Sequence, residues 1–171
     1  MILVDMNQIS LASVMMHLNI TKRDSVDVGM VRHMILNSLR MYRQNYFKEF
    51  GEFVICYDSK NYWRREYFPE YKAGRRKSRE TSSHDWNDIF ECLNTIKSEI
   101  KDNFPYKVLE VYGAEADDII ATLCGELEFD NGKTLILSGD KDFIQLHKFK
   151  NVKQYSPITK KFINGEDPKE Y

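Results

Sequence analysis

The chain has 171 residues, a net charge of −1, and 42% hydrophobic and 30% charged residues. These values are ordinary for a soluble globular protein and allow one domain with a substantial core. The sequence contains no membrane-length apolar run, signal-peptide pattern or zinc motif, and its three cysteines lie in apolar stretches, so we expect reduced thiols and a cytoplasmic location.

The N-terminal part begins with a short apolar run, Met1–Asp5, which is typical of a buried parallel strand. Helical spacing then predicts one helix over Asn7–His17 and a longer one that begins at Val28. Open α/β sheets bind ligands at the carboxyl ends of their strands. Asp5 is therefore a candidate site residue, with a plain loop-starting acid as the alternative.

A second predicted strand, Phe53–Tyr57, also ends in an acid, Asp58, and a basic-aromatic segment over residues 59–84 follows. Residues 60–80 hold eight basic and three acidic side chains, so their local charge is +5 and the remainder carries −6. Cations bind phosphate backbones and aromatic faces stack on unpaired bases. A solvated surface loop with its own small core is the alternative. The candidate nucleic-acid ligands are Arg64, Arg65, Tyr71, Lys72, Arg75, Arg76, Lys77 and Arg79.

The next helix is predicted from apolar residues that share one face and lie between Trp86 and Ile100. Ser82, Ser83 and Asp85 are all acceptable capping residues. A proline after Phe104 ends this helix, and Tyr106–Val111 reads as a third strand.

The stretch from Gly113 to Phe143 concentrates the acidic chemistry. Glu115, Asp117 and Asp118 open an amphipathic helix, and Asp140 and Asp142 follow the predicted strand Lys133–Ser138, which comes after an Asn131-Gly132 turn. Acids in a first turn also complement the helix dipole, which is the alternative. Five like charges in one place repel strongly unless a cation lies among them. Mg²⁺ or Mn²⁺ is the expected cation, since both prefer oxygen ligands.

The remaining chain predicts a short helix over Phe143–His147, a strand over Val152–Tyr155 and a small hairpin within Ile158–Ile163. Asn164–Tyr171 shows no core-forming pattern. Strands that alternate with helices predict an α/β fold, with a three-layer, mostly parallel central sheet and helices on both faces.

These motifs resemble the structure-specific 5′-nuclease family of flap endonucleases and 5′-3′ exonucleases. Within that family, Trp63-Arg64-Arg65 and residues 151–157 are most similar to the phage ribonuclease H enzymes of the T-even type, so a phage-encoded chain would act in the cytoplasm of its bacterial host. The residues that carry the family resemblance are Asp5, Tyr57-Asp58, Trp63-Arg64-Arg65-Glu66, Pro69-Glu70-Tyr71-Lys72-Ala73-Gly74-Arg75, Glu115-Ala116-Asp117-Asp118 and Ser138-Gly139-Asp140-Lys141-Asp142.

The resemblance implies roles for these residues in Mg²⁺- or Mn²⁺-dependent phosphodiester hydrolysis. Asp118 and Asp142 would lean towards a second cation, and Lys72 and Arg75, with Arg64 as a further candidate, would contact the scissile phosphate. Residues 59–84 would form an arch for a single 5′ strand, which we expect to be mobile without DNA. The ligands implied for the first cation are Asp5, Asp58, Glu115, Asp117 and Asp140.

The resemblance also implies substrates and limits. The substrates would be DNA with a 5′ flap or a 5′ end and RNA–DNA hybrids. The protein would be a monomer, and a single-strand-binding protein would be a partner. The family continues into further second-metal aspartates and a helix–turn–helix unit, which this sequence does not contain. We therefore expect residues 1–171 to be one nuclease-core domain, either a fragment of a longer protein, which we favour, or a naturally short chain. In this chain we expect an incomplete second cation site and low or absent activity.

Three alternatives remain. A PIN-type ribonuclease shares the acidic α/β pattern and would cut single-stranded RNA. A nucleic-acid-binding module without activity would use the acids structurally. A receiver-type phosphoacceptor also has acids at strand ends, but it has no use for the basic-aromatic segment.

Overall fold

The central sheet follows the predicted α/β pattern. The computed structural model describes residues 1–22, 25–129 and 132–164. Within these residues, one sheet contains six strands: β1 (Ile2–Asp5), β2 (Phe53–Cys56), β3 (Lys107–Leu109), β4 (Thr134–Leu137), β5 (Val152–Ser156) and β6 (Lys161–Ile163). Their order in the sheet is β3-β2-β1-β4-β5-β6. The strands β1 to β5 are parallel, and β6 pairs antiparallel with β5.

Helices cover both faces of this sheet. They are α1 (Met6–Thr21), α2 (Val28–Phe50), α3 (Arg64–Tyr67), α4 (Ala73–Glu80), α5 (Trp86–Asn103) and α6 (Ala116–Phe129), with a 3₁₀ helix over Lys141–Lys148. Strand side chains alternate between faces, so Ile2 and Val4 pack against α1, α2 and α5, whereas Leu3 packs against α6 and the 3₁₀ helix. The three-layer arrangement predicted from the sequence is thereby confirmed.

Aspartate side chains begin three of the long helices. Asp5 accepts a hydrogen bond from the Gln8 N–H, and Asp27 accepts one from the Met30 N–H. Asp85, one of the three capping candidates, accepts from two N–H groups at the start of α5 at 2.9 and 3.2 Å. These bonds satisfy donors that the first turn of a helix leaves without a partner.

Several elements differ in length from the sequence prediction. Strand β3 is only Lys107–Leu109, because the chain leaves the sheet before an exposed Val111 and turns at Gly113, where φ is 81°. The basic-aromatic segment contains the helices α3 and α4. The hairpin joins β5 to β6 and so begins earlier than the predicted range Ile158–Ile163. Asn131 of the predicted turn and residues 165–171 lie outside the described residues.

Membrane-spanning helices and cysteine pairing were the other features expected from the sequence. Among the described residues, no helix combines the length and apolarity that a membrane crossing would require. The three thiols are free and buried, as expected from their apolar surroundings: Cys56, Cys92 and Cys124.

Candidate functional site

Three carboxylates lie at the carboxyl ends of neighbouring parallel strands. Asp5 is the last residue of β1, Asp58 follows β2, and Asp140 follows β4 and begins the 3₁₀ helix. Because β2, β1 and β4 are adjacent in the sheet, these strand ends share one edge. Asp117 joins them from the first turn of α6. We call these four residues the acidic cluster.

The pKa values of two members show that the cluster is electrostatically coupled. Burial and then repulsion from Asp5, Asp140 and Asp58 raise the pKa of Asp117 to about 7. Burial raises the pKa of Asp5 to about 6, and repulsion from Asp58 and Asp140 adds to it, although a hydrogen bond from the Ser138 hydroxyl opposes the shift. The four acids, far apart in sequence, therefore meet in one neighbourhood.

Short hydrogen bonds fix the members that lie on loops. Asp58 accepts from the Ala116 N–H at 2.7 Å, which ties it to the start of α6. The Ser138 hydroxyl donates to Asp5 at 2.9 Å and accepts from the Asp140 N–H at 3.1 Å, so one serine connects β1 to the loop after β4. These bonds connect the Asp5 and Asp58 carboxylates and the Asp140 backbone to neighbouring elements.

The acidic cluster fits a divalent cation by the chemistry of its donors. The Asp117 carboxylate has no hydrogen bond within the described residues, and the cluster offers only oxygen donors, which Mg²⁺ and Mn²⁺ prefer. In the described ranges, no three histidine, cysteine, aspartate or glutamate side chains are already arranged to hold a metal ion. The carboxylates would therefore have to close around a cation.

Glu115 and Asp118, two other predicted ligands, contact cations of the basic-aromatic segment instead. The Glu115 side chain is 1% exposed and accepts from Lys72 Nζ at 2.7 Å, Arg64 Nη1 at 2.9 Å and the Tyr71 hydroxyl at 3.1 Å. Asp118 forms a two-bond pair with Arg64. Both carboxylates are therefore already neutralised.

Charged hydrogen bonds shift the pKa values of this group. Burial alone would raise the pKa of Asp118, but hydrogen bonds from Arg64, the Glu115 N–H and Trp63 lower it below its ordinary value. The hydrogen bond to Asp118 raises the pKa of Arg64. Burial opposes the charge of Lys72, yet its bond to Glu115 raises the pKa of this ammonium.

Lys72 also has an unusual backbone. Its φ is 59°, in the left-handed region that residues with a Cβ seldom adopt, and it lies directly before α4. This conformation and the Glu115 contact hold its ammonium at the edge of the acidic cluster, where Lys72 also acts on the pKa of Asp117. A strained backbone at a candidate catalytic lysine is consistent with a functional role.

The other predicted site residues are spread more widely. Arg65 lies over the Tyr62 ring at 4.7 Å, and Arg79 lies over the rings of Trp86 and Phe90 at 5.1 and 4.9 Å. Three further predicted residues, Arg75, Lys77 and Asp142, are exposed. The side chain of Arg76 lies outside the described part of the chain.

A cleft of about 1050 Å³ separates the basic-aromatic segment from α5 and reaches Asp58 and Glu115. The sequence prediction missed the cleft wall on α5. Its buried stripe is Ile89, Cys92, Ile96 and Ile100, whereas a second stripe faces the cleft: Trp86, Phe90, Leu93 and Lys97. The two stripes have the same helical spacing, so only the lysine at the end of the second stripe could have distinguished them. The basic side chains of the lining are Lys60, Arg65, Lys72, Arg75, Arg79 and Lys97.

Comparisons with known proteins agree with the motifs. The sequence model of the 5′-3′ exonuclease N-terminal resolvase-like domain matches residues 1–170. The chain is 39% identical to the ribonuclease H of Enterobacteria phage T4 over 165 residues, which cover 94% of this chain and 53% of that protein. It is 35% identical to a 5′-3′ exonuclease of Buchnera aphidicola over 101 residues, covering 58% of this chain and 32% of that protein. The resemblance seen in the motifs is confirmed.

Solved structures support the fold. The zinc-bound 5′-exonuclease of phage T5 matches with a TM-score of 0.75 and 19% identity, covering 100% of this chain and 60% of that one. A T5 flap endonuclease solved with DNA and metal ions matches with a TM-score of 0.71 and 19% identity, covering 95% of this chain and 57% of that one. The chain thus spans about half the length of the phage ribonuclease H that it matches.

Proposed function

The chain belongs to the 5′-3′ exonuclease family through its N-terminal resolvase-like domain, and from that membership we propose that it is the catalytic core of a Mg²⁺-dependent nuclease. Its substrates would be DNA with a 5′ flap or a free 5′ end, and RNA–DNA hybrids of the kind that an RNA primer forms. The proposal assigns all of residues 1–171 to one nuclease domain with residues 59–84 as its arch.

One observation carries this proposal: a cluster of uncompensated carboxylates lies beside a cleft whose charged lining residues are mostly basic. Repulsion within the cluster favours a cation, and the basic cleft favours a polyanion. An acidic site that bound only a metal would not need the cations, and a plain nucleic-acid-binding surface would avoid the acids. Phosphodiester hydrolysis uses both.

The chain's own residues divide the work as follows. Asp5, Asp58, Asp117 and Asp140 would hold the cation, with Glu115 joining when it leaves its basic partners. A divalent cation, when bound, lowers the pKa of water and offsets charge on the phosphate. Lys72 and Arg75, both on the cleft wall, would bind the scissile phosphate and stabilise the charge that develops on its oxygens.

The remaining predicted nucleic-acid ligands would guide the rest of the strand. A single strand beside α4 would place its phosphates or bases against five basic residues and one tyrosine, as basic grooves with aromatic side chains do: Arg64, Arg65, Tyr71, Arg76, Lys77 and Arg79. The two relatives named above are called a ribonuclease H and a 5′-3′ exonuclease, and one T5 neighbour was solved with DNA. A monomer assisted by a single-strand-binding protein is the assembly we expect.

The test compares three labelled oligonucleotides: a 5′-flap DNA, a blunt duplex of equal length and a single-stranded RNA. Binding is measured by fluorescence anisotropy in Ca²⁺ and cleavage by gel in Mg²⁺ and Mn²⁺. We expect the flap DNA to bind tightest and Asp117→Asn to abolish any cleavage. Binding or cleavage of the RNA alone would favour a PIN-type ribonuclease, and binding without any effect of divalent cations would favour a module without activity.

A further inference from the structure

Both oxygens of the Asp118 carboxylate accept hydrogen bonds. Its Oδ1 accepts from Arg64 Nη2 at 2.8 Å. Its Oδ2 accepts from Arg64 Nη1 at 2.8 Å, from Trp63 Nε1 at 3.2 Å and from the Glu115 N–H at 3.0 Å. The last of these bonds satisfies a donor at the start of α6, and the other three reach the basic-aromatic segment. A parallel two-bond arginine–carboxylate pair is both strong and directional.

Arg64 is in turn held from several sides. Its guanidinium lies over the Trp63 ring at 4.7 Å and donates to Glu115 at 2.9 Å as well as to Asp118. The backbone adds a contact, because the Trp63 N–H donates to the Gly113 carbonyl at 2.9 Å. The hydrogen bonds of Trp63 and Arg64 to Gly113, Glu115 and Asp118 connect positions that are 50 to 55 residues apart in sequence.

Asp117 and Asp118 therefore face different neighbours. Adjacent residues of a helix point about 100° apart. Asp117 interacts with the strand-end acids and forms no hydrogen bond within the described residues, whereas both oxygens of Asp118 are engaged by donors. To bind a cation through Oδ2, Asp118 would have to release an arginine N–H, an indole N–H and the Glu115 N–H, and its Oδ1 is already paired with the same arginine.

From this geometry we propose that Asp118 is a positioning residue that clamps the basic-aromatic segment onto α6 through Arg64 and Trp63, and that it is not a ligand of the divalent cation. The inference rests on the proposed function for its purpose. A clamped segment presents Arg64 and Lys72 at the cleft before nucleic acid arrives, so less ordering is required on binding. Loss of the clamp should weaken nucleic-acid binding and leave cation binding unchanged.

The experiment separates the two adjacent acids. Asp118→Asn removes the charge but keeps an oxygen for the Glu115 N–H, and Asp117→Asn is the matched change on the other face. For each full-length variant we measure Mn²⁺ affinity by calorimetry, the rate of tryptic cleavage within residues 60–80, and flap-DNA affinity in Ca²⁺. Glu52→Gln, which breaks an exposed ion pair with Lys107, controls for loss of one negative charge.

We expect Asp118→Asn to speed tryptic cleavage about tenfold and to leave Mn²⁺ affinity within about twofold of wild type, because the clamp controls local opening. Flap-DNA binding should weaken about tenfold. Asp117→Asn should show the opposite pattern, with Mn²⁺ affinity lost and tryptic cleavage unchanged. Equal loss of Mn²⁺ affinity in the two variants, with the segment still protected, would overturn the proposal.

A second variant keeps the test valid if Asp118→Asn fails to fold. Arg64→Lys retains the charge but loses the two-bond pair with Asp118, and it should speed tryptic cleavage of the basic-aromatic segment about as much as Asp118→Asn does. Combining both changes should add little to either, because they break one interaction. Additive effects would refute the clamp. If wild type binds neither Mn²⁺ nor DNA, the proposed function fails, while the cleavage rates still decide whether the clamp exists.

Discussion

Removing the charge of Asp117 should stabilise the metal-free protein at neutral and alkaline pH. Its pKa rises from 3.8 to about 7 on folding, and a shift of about 3 units would correspond to about 4 kcal/mol if solvent screened none of it. The side chain is only half-buried, so we expect about 1–2 kcal/mol from Asp117→Asn. The folded state holds the proton more tightly, so the cost of the wild-type carboxylate is absent below about pH 4 and grows until about pH 7.

Urea unfolding in EDTA at pH 3 and pH 8 measures this difference. At pH 8 the variant should be the more stable protein, and at pH 3 the two unfolding free energies should nearly coincide. Asp142→Asn, at an exposed position, should change stability by less than about 0.5 kcal/mol at either pH. Saturating Mg²⁺ should reverse the order at pH 8, because the wild type binds the cation more tightly. A variant less stable than wild type in EDTA at pH 8 would refute the reasoning.

Three further predictions concern the surroundings of the site. Glu115→Gln should lower the free energy of unfolding by about 2–3 kcal/mol, because Arg64 and Lys72 lose their buried carboxylate partner. In the same thermal denaturation assay, Glu52→Gln, which breaks an exposed pair, should lower it by less than about 1 kcal/mol. Gly139→Ala should lower the free energy of unfolding by about 1 kcal/mol, because the new Cβ would lie 2.8 Å from the Ser156 hydroxyl oxygen. Gly125→Ala lies in α6 with open space around it and should raise the free energy of unfolding by about 0.5 kcal/mol. Equal effects of the two variants in urea unfolding would contradict this. A thiol reagent should label the three cysteines only after the protein unfolds, because burial raises the pKa of Cys56 and Cys124 to about 12 and that of Cys92 to about 11. Fast labelling of the folded protein at pH 8 would contradict this.

The strand-end acids could be predicted from sequence because two local signals coincide there. An apolar run of four or five residues marks a buried parallel strand, and the acid that follows falls at the edge where such sheets bind ligands. Asp5, Asp58 and Asp140 satisfy both signals, so their meeting required no knowledge of the strand order. The sequence did not predict that β1 lies between β2 and β4, which places the three acids on adjacent strands.

The partners of the remaining acids could not be predicted in this way. Glu115 and Asp118 follow the same local pattern as Asp117, but their environment depends on Arg64 and Lys72, which lie 43 to 54 residues earlier. Like charges in one sequence window predict a cation without revealing whether it is a metal ion or an arginine. The distinction is a long-range contact, and local spacing carries no information about it.

The order of the sheet has a consequence for biosynthesis. Strand β1 leaves the ribosome first, yet its two neighbours are residues 53–56 and 134–137, so a nascent chain can complete the middle of its sheet only late. Pairing over such separations is slow, because loop closure precedes the contacts that reward it. Until β4 docks, Asp5 and Asp140 have no shared neighbourhood, and an unfinished polypeptide therefore lacks the assembled acidic cluster that the proposed nuclease activity requires.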